Sequence, residues 1–144
     1  MKQKLLGHQS LQEILSQPQA WRGALREISA KRARWEGFFH ERSPDQILFV
    51  ACGSTYYLSL AAAWVWQRIL EIPARALPSS ELVLFPEANL PRQGKPLLVA
   101  VSRSGETSET LWAVSHFRQR WPDRVVARRL ADSWPQIGPI SSKN

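Results

Sequence analysis

Two short segments carry the residue types from which a phosphate site is built. Cys52-Gly53-Ser54-Thr55-Tyr56-Tyr57 follows the apolar run Ile47-Leu48-Phe49-Val50-Ala51, and Ser102-Arg103-Ser104-Gly105-Glu106-Thr107-Ser108-Glu109-Thr110 follows Pro96-Leu97-Leu98-Val99-Ala100-Val101. Each lies between a strand pattern and a helix pattern. A helix N-terminus presents unpaired backbone N–H groups and the positive end of the helix dipole, so it can hold an oxyanion without a full cationic side chain. Gly53 and Gly105 permit tight turns and close backbone approach, while Ser54, Thr55, Ser102, Ser104 and Thr107 offer hydroxyls that can surround a phosphate. Neither segment is a Walker loop, which would need a lysine after its second glycine, and neither is a GxGxxG fingerprint. Serine and threonine before a helix are also ordinary N-caps, each worth about 1 kcal/mol. One such loop would favour capping; two at equivalent positions favour anion binding. Glu106 and Glu109 are expected as dipole partners or solvent-facing groups, because a carboxylate inside the cradle would repel phosphate. Cys52 reads as a small residue at a strand end, His116 as a surface or packing histidine, and the seven tryptophans mostly as core packing.

The elements that must position these loops follow from periodicity. Both apolar runs are too short for helices and lack polar alternation, which fits strands buried on both faces of a parallel sheet. Leu58, Ala61, Ala62, Val65 and Ile69 form the expected sheet-facing stripe of the helix after the first loop, and Thr110, Val114, Phe117 and Trp121 that of the helix after the second. Between the two units a short strand is expected over Ala74–Leu77, with a brief helix starting at Ser79-Ser80-Glu81 and ending before Pro86. Val125-Val126-Ala127 reads as one more strand. Upstream, Ser10-Leu11-Gln12-Glu13 fits a capping box that starts a short helix. Pro18 fits the first turn of a second helix, with Trp21, Leu25, Ile28 and Trp35 on one face, and Ser43-Pro44-Asp45 stops it. The predicted fold is an α/β three-layer sandwich with a mostly parallel, flavodoxin- or Rossmann-like sheet, incomplete at its C-terminus and preceded by an N-terminal helical arm. Its expected parts are an arm over 1–43, a partial domain over 44–127 and a divergent tail over 128–144.

The chain has 144 residues, 44% of them hydrophobic and 22% charged, which suits one globular domain and excludes the disordered classes. No stretch reaches the roughly 18 apolar residues of a spanning helix. The basic start at Met1-Lys2 lacks an apolar h-region, and the chain has one cysteine and three scattered histidines. A cytoplasmic protein with no metal, no cofactor and no membrane partner is expected. The net charge of +7 raises nucleic acid as a partner, but the basic residues are interspersed over Arg26–Arg42 and Arg118–Arg129 without a like-charge run, and no nucleic-acid-binding motif is present. They read as solvated helix faces.

The loop residues Cys52-Gly53-Ser54-Thr55 and Ser102-Arg103-Ser104-Gly105-Glu106-Thr107, together with Leu11-Gln12-Glu13-Ile14-Leu15-Ser16-Gln17-Pro18, make the chain similar to the sugar isomerase (SIS) domain family. This is the phosphosugar-binding module of glucosamine-6-phosphate synthases and tagatose-6-phosphate ketose/aldose isomerases. The resemblance runs from about Ser10 to Ala127 and favours the ketose/aldose branch, within amino-sugar phosphate metabolism. It implies a five-stranded parallel sheet and a small phosphosugar ligand. Ser102, Ser104 and Thr107 with the Arg103 backbone would hold the phosphate, and Ser54 and Thr55 would touch phosphate or sugar hydroxyls. A homodimer through the aromatic-rich arm is the assembly it implies.

The resemblance implies that relatives of full length carry two such domains and draw their acid–base groups from the second and from a C-terminal segment, and this chain is expected to be a truncated form without them. Arg128-Arg129 interrupts the last strand, Leu130-Ala131-Asp132 resembles a later family segment, and Ser133–Asn144 resembles nothing in the family, as an internal deletion or frame slip would produce. The expected function is phosphosugar binding by a catalytically incomplete isomerase or deaminase type, with no catalytic residue assigned. A phosphosugar-sensing regulatory or assembly module, and a non-functional remnant, are the alternatives.

Overall fold

The computed structural model describes residues 7–128. They divide into a helical unit that ends at Glu41 and an α/β unit that begins at Arg42. Most of the expected tail, from residue 129 onward, lies outside the described residues.

The helical unit consists of α1 (His8–Ala30) and of α2 (Arg32–Arg42) up to its last residue, which opens the α/β unit. One helix replaces the two expected around Pro18. The start lies upstream of the expected capping box, with Gly7 in the left-handed region as N-cap and the Leu11 amide donating to the Gly7 carbonyl at 2.9 Å. Ser10 is therefore inside the first turn and caps nothing. Pro18 is carried inside α1, where its missing N–H leaves the Ile14 carbonyl without its ladder partner. The break falls instead at Lys31, whose amide donates to the carbonyls of Glu27 and Ile28. Leu11, Ile14, Trp21, Leu25 and Ile28 are all half or more exposed.

In the α/β unit the chain runs through β1 (Gln46–Ala51), α3 (Ser54–Leu70), β2 (Ala74–Pro78), α4 (Ser79–Leu84), α5 (Pro86–Asn89), β3 (Pro96–Val101), α6 (Ser108–Arg120) and β4 (Val125–Arg128). The four strands form one sheet in the order β2-β1-β3-β4, with every pairing parallel. Residues Ile47 to Ala51 are at most 2% exposed, as a strand covered on both faces requires. The faces separate by parity. Leu48 and Val50 join Leu77, Leu98 and Ala100 in the main core beneath Leu82 of α4 and Ala113, Val114 and Phe117 of α6. On the other face the Phe49 ring meets Trp66 of α3 edge-on, 5.4 Å between centroids. The result is three layers. Right-handed crossovers account for it: β1 to β2 moves one way across the sheet and β2 to β3 to β4 the other, so their helices fall on opposite faces.

The stripe expected on α6 is the one observed, with Thr110, Val114 and Phe117 buried and Trp121 packed against the core. The stripe expected on α3 is not. Ser59 and Ala63 are its buried residues, while Leu58, Val65 and Ile69 are more than half exposed. Small side chains let α3 approach the sheet beside Trp66, and Leu58, Val65 and Ile69 are turned away. Three tryptophans expected in packing, Trp21, Trp64 and Trp112, are also more than half exposed.

Phe117 is fully buried at the centre of the α4–α6 core. Phe117→Ala should lower unfolding free energy by about 3–5 kcal/mol, read as a shift of the denaturant midpoint; a loss well under 1 kcal/mol would show that α6 does not pack there.

Candidate functional site

β1 lies between β2 and β3, so the chain leaves β1 toward one side and later returns to the other. The crevice between β1 and β3 is therefore the topological switch point, the place where open parallel sheets bind ligands beyond their carboxyl ends. Ala51 and Val101 are register partners at that end. The two hydroxyl-rich loops thus leave the sheet side by side, and each runs into a helix.

The loop after β1 is tight. Gly53 has φ +57° and ψ −131°, a backbone conformation that a side chain would strain, although a Cβ there would meet no other atom. Thr55 Oγ1 donates to the Cys52 carbonyl at 2.7 Å, and the Ser59 hydroxyl donates to the Thr55 carbonyl at 2.8 Å. The Thr55 proton is thereby committed to closing its own loop, leaving Oγ1 as an acceptor toward a ligand. Ser54 is the first residue of α3 and is exposed.

The loop after β3 is organised by its own hydroxyls. Ser102, 8% exposed, accepts from the Gly105 amide at 3.0 Å and lies 3.3 Å from Thr107 Oγ1. Ser104 Oγ accepts from the Glu106 amide at 3.1 Å. Gly105 takes the turn at φ +71°, and Thr107 is the N-cap of α6 without a side-chain cap bond of its own. Ser102, Ser104, Gly105 and Thr107 are therefore brought into one turn at the start of α6, and Arg103 is exposed on it. The two loops meet beneath the surface, where Cys52 Sγ lies 3.7 Å from Thr110 Oγ1.

Beside them opens a cavity of about 360 Å³ lined by Cys52, Gly53, Tyr56, Tyr57, Ser80 and Glu109, among others, a volume typical of small-ligand sites. Sequence reasoning missed Ser80 and Tyr56 here; Glu109, exposed in the first turn of α6 as expected, borders the cavity too, and of the expected site residues Gly53 alone is in its lining. The missed signal was the strand–helix junction at Pro78-Ser79-Ser80, which is the third loop at the carboxyl edge. A larger groove of about 470 Å³ follows Trp64, Gln67, Arg68 and Glu71. It sits at the opposite end of α3 on one helix surface, away from the convergent hydroxyls, so the smaller cavity is the better ligand site. His116 is exposed on α6, its Nδ1 3.3 Å from the Trp112 carbonyl. Among the described residues no group of three or more His, Cys, Asp or Glu could hold a metal ion, and no helix is long and apolar enough to cross a membrane.

Comparison with known proteins places this geometry. Glutamine–fructose-6-phosphate aminotransferase (isomerizing) of Chlamydia muridarum is 30% identical over 119 residues, covering 81% of this chain and 19% of the relative. The enzyme of the same name from Methanothermobacter thermautotrophicus is 30% identical over 130 residues, covering 88% and 20%. The chain thus spans about a fifth of the length of these curated relatives. Among solved structures, tagatose-6-phosphate ketose/aldose isomerase from Escherichia coli superposes with a TM-score of 0.73 at 25% identity, over 82% of this chain and 33% of that one. The C-terminal domain of glucosamine-fructose-6-phosphate aminotransferase from Francisella tularensis shares the fold at a TM-score of 0.71 and 23% identity, over 94% and 38%. The SIS domain model matches residues 42–127, a span that holds β1 to β3, β4 as far as Ala127 and both hydroxyl-rich loops, and the chain belongs to the SIS domain family.

Proposed function

We propose that the α/β unit is a phosphosugar receptor, with the turn after β3 taking the phosphate and the adjoining cavity taking the sugar. The observation that carries this reading is the placement of two hydroxyl-rich turns on register-paired strand ends at the switch point. The Arg103 backbone and the start of α6 supply donors and dipole for a dianion, with Ser102, Ser104 and Thr107 as hydroxyl partners, while the Gly105 and Glu106 amides shape the turn through Ser102 and Ser104. Ser54 and Thr55 lie on the opposite lip of the crevice, Thr55 as acceptor for a sugar hydroxyl. Ser80, Tyr56 and Glu109 give the cavity the polar lining that a polyol needs. The names of the relatives, which act on hexose 6-phosphates, support the same ligand class.

The proposed activity is binding. Isomerisation needs a base placed to move a proton between adjacent sugar carbons, and no residue of the site is assigned that part. Aldose–ketose interconversion by the purified chain would contradict this.

The exposed stripe of α1 favours a second element of the reading, that the receptor works in a homodimer held by its arm. Leu25→Asp with Ile28→Asp should then convert a dimer to a monomer in sedimentation; a monomeric wild type would contradict the assembly without touching the binding site.

Saturable thermal stabilisation is expected with fructose 6-phosphate or glucosamine 6-phosphate and not with the unphosphorylated sugars. Ser102→Ala with Ser104→Ala should weaken that binding by about 1–3 kcal/mol; unchanged affinity would refute the assigned cradle.

A further inference from the structure

We propose that Thr110 is a positioning residue of this site, its hydroxyl joining the loops after β1, β2 and β3 into one receptor. This rests on the phosphosugar reading above. Thr110 lies in the first turn of α6, directly after the cradle, and is 2% exposed. Its Oγ1 is 3.1 Å from the hydroxyl of Ser79, the fully buried first residue of α4, and 3.7 Å from the thiol of Cys52 at the end of β1. A hydroxyl has one proton to donate and lone pairs to accept with, so Thr110 can serve both neighbours at once.

Each of these three residues is coupled to the cavity wall. Cys52 lines it directly, Ser79 precedes the lining residue Ser80, and Thr110 follows the lining residue Glu109. From Cys52 the bonding continues through its carbonyl to Thr55 and through the Thr55 carbonyl to Ser59. The polar chain therefore runs immediately under the site, from α4 through α6 to the start of α3. A threonine hydroxyl within a helix often back-bonds to that helix; this one lies instead between Ser79 of α4 and Cys52 at the end of β1. Losing it would leave the sheet intact and free the loops to move relative to one another, which lowers affinity by lost preorganisation.

Thr110→Val keeps the side-chain shape and removes the hydroxyl, but strands the Ser79 oxygen. Thr110→Val with Ser79→Ala removes both polar atoms and so separates loop positioning from the cost of a buried unpaired group. Cys52 is the only cysteine in the chain and is partly exposed, so its alkylation by iodoacetamide reports loop order in the unliganded protein. The double variant should bind fructose 6-phosphate or glucosamine 6-phosphate about ten-fold more weakly and alkylate several-fold faster, with a melting temperature above that of Thr110→Val alone. Thr110→Ser should restore affinity and thiol protection. Wild-type affinity and a wild-type alkylation rate in the double variant would overturn the role of Thr110 while leaving the phosphosugar reading standing. Absence of saturable binding by the wild type to either sugar phosphate would overturn that reading and this role with it.

Discussion

The parallel pairing of β1 with β3 is the interaction on which the rest depends. It runs over six register pairs from Gln46↔Pro96 to Ala51↔Val101, so both strands end level with each other. Levelness is what makes a site. With β2 on the far side of β1, the polypeptide diverges at this edge, and the loops after β1 and β3 leave it in opposite directions across the sheet. The start of the pair is fixed too. The Asp45 amide donates to the Lys95 carbonyl, and the Lys95 amide donates to Asp45 Oδ2 at 2.7 Å. Gly94, at φ +106°, makes room for that carboxylate, since a Cβ there would lie 2.5 Å from it.

Burial then holds the loops from below. Strand residues on one face pack beneath α4 and α6, and the Ser79, Thr110 and Cys52 side chains occupy the rim of that core where it meets the loops. Buried hydroxyls are tolerated only when partnered, and here the partners belong to different loops. The same contacts that satisfy them therefore tie the three loops to one another. The polar rim lies between the α4–α6 core and the turn after β3.

Much of this was legible in the residues. The uninterrupted apolar runs gave strands with boundaries close to those observed, because buried parallel strands have no competing pattern. The α6 stripe was legible for a related reason: its apolar residues are few and recur at a single helical period. α3 misled because it is apolar nearly all round. Leu58, Ala61, Val65 and Ile69 fit helical spacing as well as Ser59 and Ala63 do, and hydrophobicity favours the bulky set, whereas close approach to the sheet requires the small one. Pro18 misled through its usual place in a first turn, since an exposed helix long enough on either side can carry the missing bond. The hydroxyl loops could be found from composition and position. The cavity wall could not, because Ser80 and Glu109 come together with Gly53 only through the order of the strands.

The most direct test of the account is a two-dimensional amide NMR titration of the isotopically labelled chain with fructose 6-phosphate or glucosamine 6-phosphate. The account predicts saturable shifts concentrated at Gly105, Glu106 and Thr107 on one lip and at Gly53 and Ser54 on the other, with inorganic phosphate moving the first set and sparing the second. Saturable shifts confined to α3 around Trp64, Gln67 and Arg68, with both loops unmoved, would contradict it.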